Sequence, residues 1–280
     1  MSTGAAAGGG DGKMAAIDAV TFRARAAAGH AALNGWCSIP EPTVTEIMAL
    51  QPWDIVTVDL QHGLLDFQRA LDLIRTIQGH GKPALARIPA LEENWLIMKL
   101  LDAGANGLIC PNISTPEDAA RFIAACTYPP AGNRSYGPTR AVLLDVNYAK
   151  TADRRIIKAV QIEDDRSVAA VNEIAAVAGL DMLYVGPADL SLAYGLTPRL
   201  DPEYPEVFTA YEAVIEACRA CGLVAGIHCL TPSYAARMYN MGFRFMSIAN
   251  DVRLFARVVA ETVKETAAAI EEVRSARPMP

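Results

Sequence analysis

No apolar run in the chain reaches the roughly 18 residues that a membrane-spanning helix requires, so no bilayer span is expected. Basic residues are outnumbered, 25 Lys and Arg against 31 Asp and Glu, for a formal net charge of −6. They occur singly or in pairs such as Arg154 and Arg155 and form no stripe. Nucleic acid and anionic membrane surfaces therefore have no electrostatic footing. The amino terminus lacks the basic-then-apolar order of a secretory signal. It also fails as a phosphate loop, because Ala7 stands five before Gly12 and Met14 follows Lys13 where Ser or Thr is required. Residues 1–14 read as a disordered Gly/Ala-rich leader. Six cysteines are present, but the one C-x-x-C, Cys218 and Cys221, has no second ligand pair for zinc. Reduced thiols and a cytoplasmic location are expected.

What is present is a globular composition, 52% hydrophobic and 20% charged, in 280 residues. Short apolar, β-branched runs at 33–39, 54–60, 83–88, 107–110, 158–162, 182–185, 223–228 and 243–248 alternate with longer amphipathic stretches. The runs are too continuously apolar for strands with one wet face, so they read as strands buried on both sides. Amphipathic helices are expected over 67–78, 92–102, 116–126 and 204–221, with Thr115-Pro116-Glu117 and Thr231-Pro232 as start signals. Gly79, Gly179 and Gly222 are expected to close helices. Eight such alternations in one domain over 15–280 predict a (β/α)8 TIM barrel. A doubly wound open sheet is the runner-up, but no strand is followed by a Gly-x-Gly-x-x-Gly turn. The segment 127–147 reads as an elaborated loop after the fourth strand, of the length that usually carries function.

A barrel assembles its site from the C-terminal ends of its strands. Those ends carry Asp59-Leu-Gln-His62-Gly63, Arg87-Ile-Pro89, Cys110-Pro111-Asn112, Gln161-Ile-Glu163, Gly186-Pro187-Ala188-Asp189 and His228, with Asn250 and Asp251 after the eighth. Each alone has a structural explanation, such as a helix cap or a surface ion pair. Convergence on one rim makes a site the better reading. Glu163 and Asp189, on adjacent strands with no His or Cys cluster, suit a hard divalent ion: Mg²⁺ or Mn²⁺, with Co²⁺ as a further candidate. A 2-oxo acid chelates such an ion, which then acts as a Lewis acid when a neighbouring C–C bond breaks. Arg87 suits the developing oxyanion and His62 a general base. Lys82 and Lys158 stand at strand beginnings, so an imine mechanism is disfavoured.

At these residues the chain resembles the class II pyruvate aldolases of the HpcH/HpaI family, from about residue 33 to residue 257. The signposts are Asp59-x-x-His62, Arg87, Leu101-Asp102-x-Gly104, Tyr128-Pro-Pro-x-Gly132-x-Arg134, Gln161-Ile-Glu163 and Gly186-Pro-Ala-Asp189-Leu-Ser191. The resemblance implies that Glu163 and Asp189 bind the metal and that Arg87 stabilises a pyruvate enolate. It implies that His62, oriented by Asp102, is the acid–base group through a metal-bound water, with Asp59 supporting the water network. Gln161, Gly186, Pro187 and Ala188 would contact pyruvate, whose partner is an aldehyde. A homo-oligomer is implied, a hexamer or trimer of dimers, with the last helix, about 252–273, packed on a neighbour. Two positions depart from the pattern. Gln61 stands where Glu is common, and His228 stands where an apolar residue is expected near the aldehyde, which points to a polar acceptor. The competing readings are a citryl- or malyl-CoA-type lyase and a non-catalytic barrel that binds a metal or 2-oxo acid.

Overall fold

Runs of Val, Ile, Leu and Ala too short for helices leave extended backbone as the way to bury both faces, and eight of them pair here. The computed structural model describes residues 17–276. Its strands are β1 (Ala32–Cys37), β2 (Ile55–Asp59), β3 (Ala84–Arg87), β4 (Gly107–Cys110), β5 (Ile157–Ile162), β6 (Met182–Val185), β7 (Val224–Cys229) and β8 (Phe245–Ile248). All pair in parallel with their sequence neighbours, and β8 closes on β1. The chain is a (β/α)8 barrel, as its alternation predicts.

Helix α1 (Ala19–Ala27) precedes β1, and α2 (Pro42–Leu50), α3 (Phe67–Gly79), α4 (Asn94–Asp102) and α5 (Pro116–Cys126) follow the first four strands. Then come α6 (Ala141–Leu144), α7 (Tyr148–Arg155), α8 (Asp165–Ala169), α9 (Val171–Ala175), α10 (Pro187–Ala193), α11 (Pro205–Cys221), α12 (Pro232–Met241) and α13 (Asp251–Ala276). The expected start signals operate: the Thr115 and Thr231 hydroxyls accept from the N–H groups of Asp118 and Tyr234, each with proline in the first turn. Gly222 closes α11 in the left-handed region, whereas α3 runs through Gly79 and reverses two residues later. None of the described helices is long and apolar enough to cross a membrane.

Two apolar layers hold the fold. Outward-facing strand residues such as Val56, Val58, Ala86 and Val160 pack against the helices in one continuous cluster. Inward-facing ones, among them Ile55, Leu85, Ile109, Ile157, Met182 and Phe245, fill the barrel. Helix α1, not foreseen from the sequence, extends the inner layer: Phe22 meets Phe245 edge-on with centroids 5.8 Å apart.

One feature departs from expectation. The segment 127–147 follows α5, not β4, so it lies between a returning helix and the next strand, at the end of the barrel where strands begin. It is also partly helical, through α6, and its Arg134 is buried. The long last helix expected from the sequence is α13. It has 26 residues, yet Asp251 is its only buried one, and Phe255, Val259, Val263 and Ile270 are exposed. The expected leader, residues 1–14, falls outside the described residues.

Candidate active site

The parallel register between β2 and β3 sets Asp59 beside Arg87 on the inner face of the barrel mouth. Arg87 donates from Nε to Oδ1 at 2.9 Å and from Nη2 to Oδ2 at 2.7 Å, a two-point clamp. Trp36, near the end of β1, donates its indole N–H to Oδ2 at 3.1 Å. The backbone N–H groups of Gln61 and His62 add bonds of 3.1 and 3.3 Å to Oδ1. Burial alone would raise the Asp59 carboxyl, but these donors and the guanidinium charge hold it below the usual carboxylate range. With five donors on two oxygens, Asp59 is a brace; this leaves it little capacity for the expected water network. The Arg87 guanidinium also lies 4.9 Å from the centroid of the Trp36 ring, and its Nη1 has no partner among the described residues.

The loop after β2 turns tightly enough that a Cβ on Gly63 would fall 2.0 Å from the Asp59 carbonyl oxygen. That turn brings His62 to the cavity, where its side chain is exposed. At the end of β5, Gln161 donates to Glu163 Oε2 at 2.5 Å, and the Asn112 N–H donates to Oε1 at 2.7 Å. Asn112 follows β4 at φ 56°, a left-handed conformation that asparagine tolerates. Strand β6 then approaches so closely that a Cβ on Gly186 would sit 2.6 Å from Glu163 Oε2. A side chain there would push the Glu163 carboxylate and the Gln161 amide out of their positions. Pro187 starts α10 and places Asp189 in its first turn.

Glu163 differs from Asp59 in one decisive respect. It is 5% exposed and receives hydrogen bonds from neutral groups alone, and among the described residues neither it nor Asp189 forms an ion pair. Burial pushes the Glu163 carboxyl up to about 7; the Asn112 N–H opposes this, and the Asp189 charge adds to it. Two oxygen-rich anionic groups lacking a counterion, beside the buried and unpartnered Oε1 of Gln161, make a donor set that fits a hard divalent cation. The residues present therefore suit the metal that the strand-end carboxylates imply.

Asp59, His62, Arg87, Gln161, Gly186, Pro187, Ala188, Asp189 and His228 line one cavity of about 200 Å³. Glu163 lies immediately against Gln161 and Gly186. Asp102 does not join them. It ends α4, and that nine-residue helix carries the chain back about 13 Å, to the end of the barrel where β4 begins. There its carboxylate accepts from Arg134 Nη2 at 2.8 Å, and Arg134 bonds Tyr148 as well. Within one chain Asp102 orients Arg134, not His62. Sequence reasoning missed Trp36, Ser38, Tyr184, Leu200 and Arg253, which also line the cavity. Counting back by twos from Gly186 along β6 would have found Tyr184.

The chain matches the HpcH/HpaI aldolase/citrate lyase family over residues 35–258. It belongs to that family. It is similar to a hydroxypyruvate/pyruvate aldolase of Rhizorhabdus wittichii, 32% identical over 241 residues that cover 86% of this chain and 96% of the relative. A pyruvate aldolase of Rhizobium etli is 33% identical over 241 residues, covering 84% and 93%. Among solved structures, an HpcH/HpaI aldolase/citrate lyase family protein from Burkholderia cenocepacia superposes with a TM-score of 0.81 at 28% identity, covering 88% of this chain and 99% of that one. The chain is accordingly an enzyme, a class II aldolase.

In this HpcH/HpaI enzyme, Asp59→Asn should be less stable at pH 7 by about 3–5 kcal/mol, since Arg87 loses its buried counterion. The sign with pH follows from the lowered carboxyl. Its contribution is present above the unfolded value of 3.8 and is lost as pH falls through the folded one. Urea unfolding at pH 7 and pH 3 should show the gap between wild type and variant narrowing in acid. A gap that stays constant would contradict the brace.

Proposed function

We propose that the enzyme makes and breaks the C3–C4 bond of 4-hydroxy-2-oxo acids, with pyruvate or a close 2-oxo acid as one partner and an aldehyde as the other. The observation that carries this reading is the Glu163–Asp189 pair, two carboxylates in no ion pair among the described residues: Asp189 lines the same cavity as Arg87 and His62, and Glu163 lies against its wall at Gln161 and Gly186. Relatives described as pyruvate and hydroxypyruvate aldolases support the same donor class.

Glu163 and Asp189 would hold Mg²⁺ or Mn²⁺, which when bound polarises the keto oxygen and stabilises the negative charge gathered there as the bond breaks. Arg87, itself buried and aligned by Asp59, offers its uncommitted Nη1 to the same charge. The Gln161 amide and the Gly186–Ala188 backbone would seat the 2-oxo acid. In cleavage, His62 takes the proton of the C4 hydroxyl while the C3–C4 electrons move toward the 2-oxo carbon. After the aldehyde leaves, His62 returns the proton to C3. A citryl- or malyl-CoA-type lyase needs cationic side chains for CoA phosphates, and Arg87 and Arg253 are the only lysine or arginine side chains among the described residues lining this cavity.

The exposed apolar stripe of α13 supports a homo-oligomer, a hexamer or trimer of dimers, in which this helix packs on a neighbour. An Asp102 that orients His62 would then have to come from a second copy. Six unpaired cysteines, five of them buried, fit a reducing cytoplasm, which cell fractionation checks.

Three outcomes test the reading. Glu163→Gln and Asp189→Asn should each lose most divalent-ion affinity by calorimetry and most pyruvate release from 4-hydroxy-2-oxo acids; near-wild-type turnover after chelation and Mg²⁺ readdition would refute the metal assignment. His62→Ala should slow exchange of the pyruvate methyl protons with D₂O by roughly 10²–10⁴ while still binding the ion. Sedimentation should give a discrete oligomer that Phe255→Asp disrupts, and a monomeric wild type would remove the assembly.

A further inference from the structure

Beneath the cavity the barrel interior is not wholly apolar. Asn34 on β1, Thr57 on β2, Tyr184 on β6 and Ser247 on β8 are all buried. They form a line of hydrogen bonds that ends on His228. Register brings them together, because Ser247 stands beside both His228 and Asn34. His228 Nδ1 lies 3.0 Å from Tyr184 Oη, and Tyr184 donates to Ser247 Oγ at 2.8 Å.

A row of hydroxyls can point either way unless one end is held, and Asn34 holds it. The carbonyl oxygens of Ile55 at 3.2 Å and Gly35 at 3.3 Å face one end of its amide and can only accept, which assigns the nitrogen to that end. Its oxygen then accepts from Ser247 at 2.9 Å. With its proton committed to Asn34, Ser247 accepts from Tyr184, whose single proton is thereby committed too. Tyr184 can only accept from the imidazole, so the ring proton sits on Nδ1. The ring is neutral: burial and then the Arg87 charge lower its pKa to about 3, and Asp59 and the Ala249 backbone oppose them only in part. A neutral imidazole protonated at Nδ1 carries a bare lone pair on Nε2. Nδ1 is turned into the barrel and His228 lines the cavity, so Nε2 is the nitrogen left to meet a ligand. Trp36, edge-on with centroids 5.0 Å apart, packs against the ring.

We infer that His228 Nε2 is a fixed hydrogen-bond acceptor on the cavity wall, set by the Asn34–Ser247–Tyr184 chain, and that it selects reactants carrying a hydroxyl. The inference deepens the aldolase reading and relies on it only for the reaction that reports selectivity. A hydroxyl donates its proton to Nε2; a methyl in its place leaves that nitrogen desolvated and unpaired, which is worth about tenfold or more in discrimination. The hydroxyl can belong to the aldehyde or to the 2-oxo acid.

The test uses the full chain loaded with Mg²⁺. The ratio of kcat/KM for glycolaldehyde to that for propionaldehyde, with pyruvate, reads the aldehyde side. The ratio for hydroxypyruvate to 2-oxobutanoate, with propionaldehyde, reads the other. His228→Leu should reduce one of these ratios at least about tenfold. Tyr184→Phe, which leaves Nδ1 without its acceptor, should reduce the same ratio. Nitrogen-15 histidine NMR of the wild type should show the proton on Nδ1 of His228. A proton on Nε2, or both ratios unchanged in both variants, overturns the inference. Absence of pyruvate proton exchange in the wild type would instead overturn the aldolase reading, and the tautomer would still decide this one.

Discussion

The Asp59 carboxylate, sunk into the mouth of the barrel, organises what surrounds it. A buried anion is costly unless it is paired and fully hydrogen-bonded, and here five donors from three stretches of chain converge on it. Arg87 is thereby aligned, the Trp36 indole is held under the guanidinium, and the loop bearing His62 is tied to the end of β2. Loss of that one carboxylate would leave a buried cation, a free indole N–H and a loop without an anchor. The Arg87–Asp59 pair is therefore both a stabilising contact and the scaffold of the site.

Glu163 shows the opposite solution. It is buried as deeply, on the same inner face, yet it is given neutral donors and a second carboxylate for company. The protein thus neutralises one buried anion internally and leaves another for something from outside. That division, a satisfied pair at β2–β3 and an unsatisfied pair at β5–β6, separates a positioning group from a cation seat. Gly186 is part of the same arrangement, since any side chain there would occupy the space of the Glu163 oxygen.

The reach of sequence reasoning can be traced to particular residues. The strand-tip motifs Asp59, Arg87, Gln161, Gly186 and Asp189 converge because a parallel barrel sends every strand end to the same rim. Asp102 lies away from His62 within one chain, which the sequence did not foresee because the family motif records that a residue is present, not which end of a helix it occupies. The segment 127–147 was misplaced for the same reason: its helix α5 had already returned the chain to the other end. Trp36 and Tyr184 escaped notice because aromatic residues inside apolar strands read as ordinary core.

By itself the sequence determined the fold class, eight strands to within a few residues, the family resemblance and most of the pocket wall. These follow from local information: apolar period, proline and threonine caps, and short motifs whose spacing is set along one strand and turn. Tertiary structure alone decided which charges neutralise one another. Asp59 could have served a metal or Arg87, and only the β2–β3 register gives it to Arg87. It decided equally the direction of the proton chain behind His228, which depends on residues from four strands that lie up to 213 positions apart. Interactions of that kind arise from closure of the barrel, and no local pattern in the chain encodes the neighbours that closure creates.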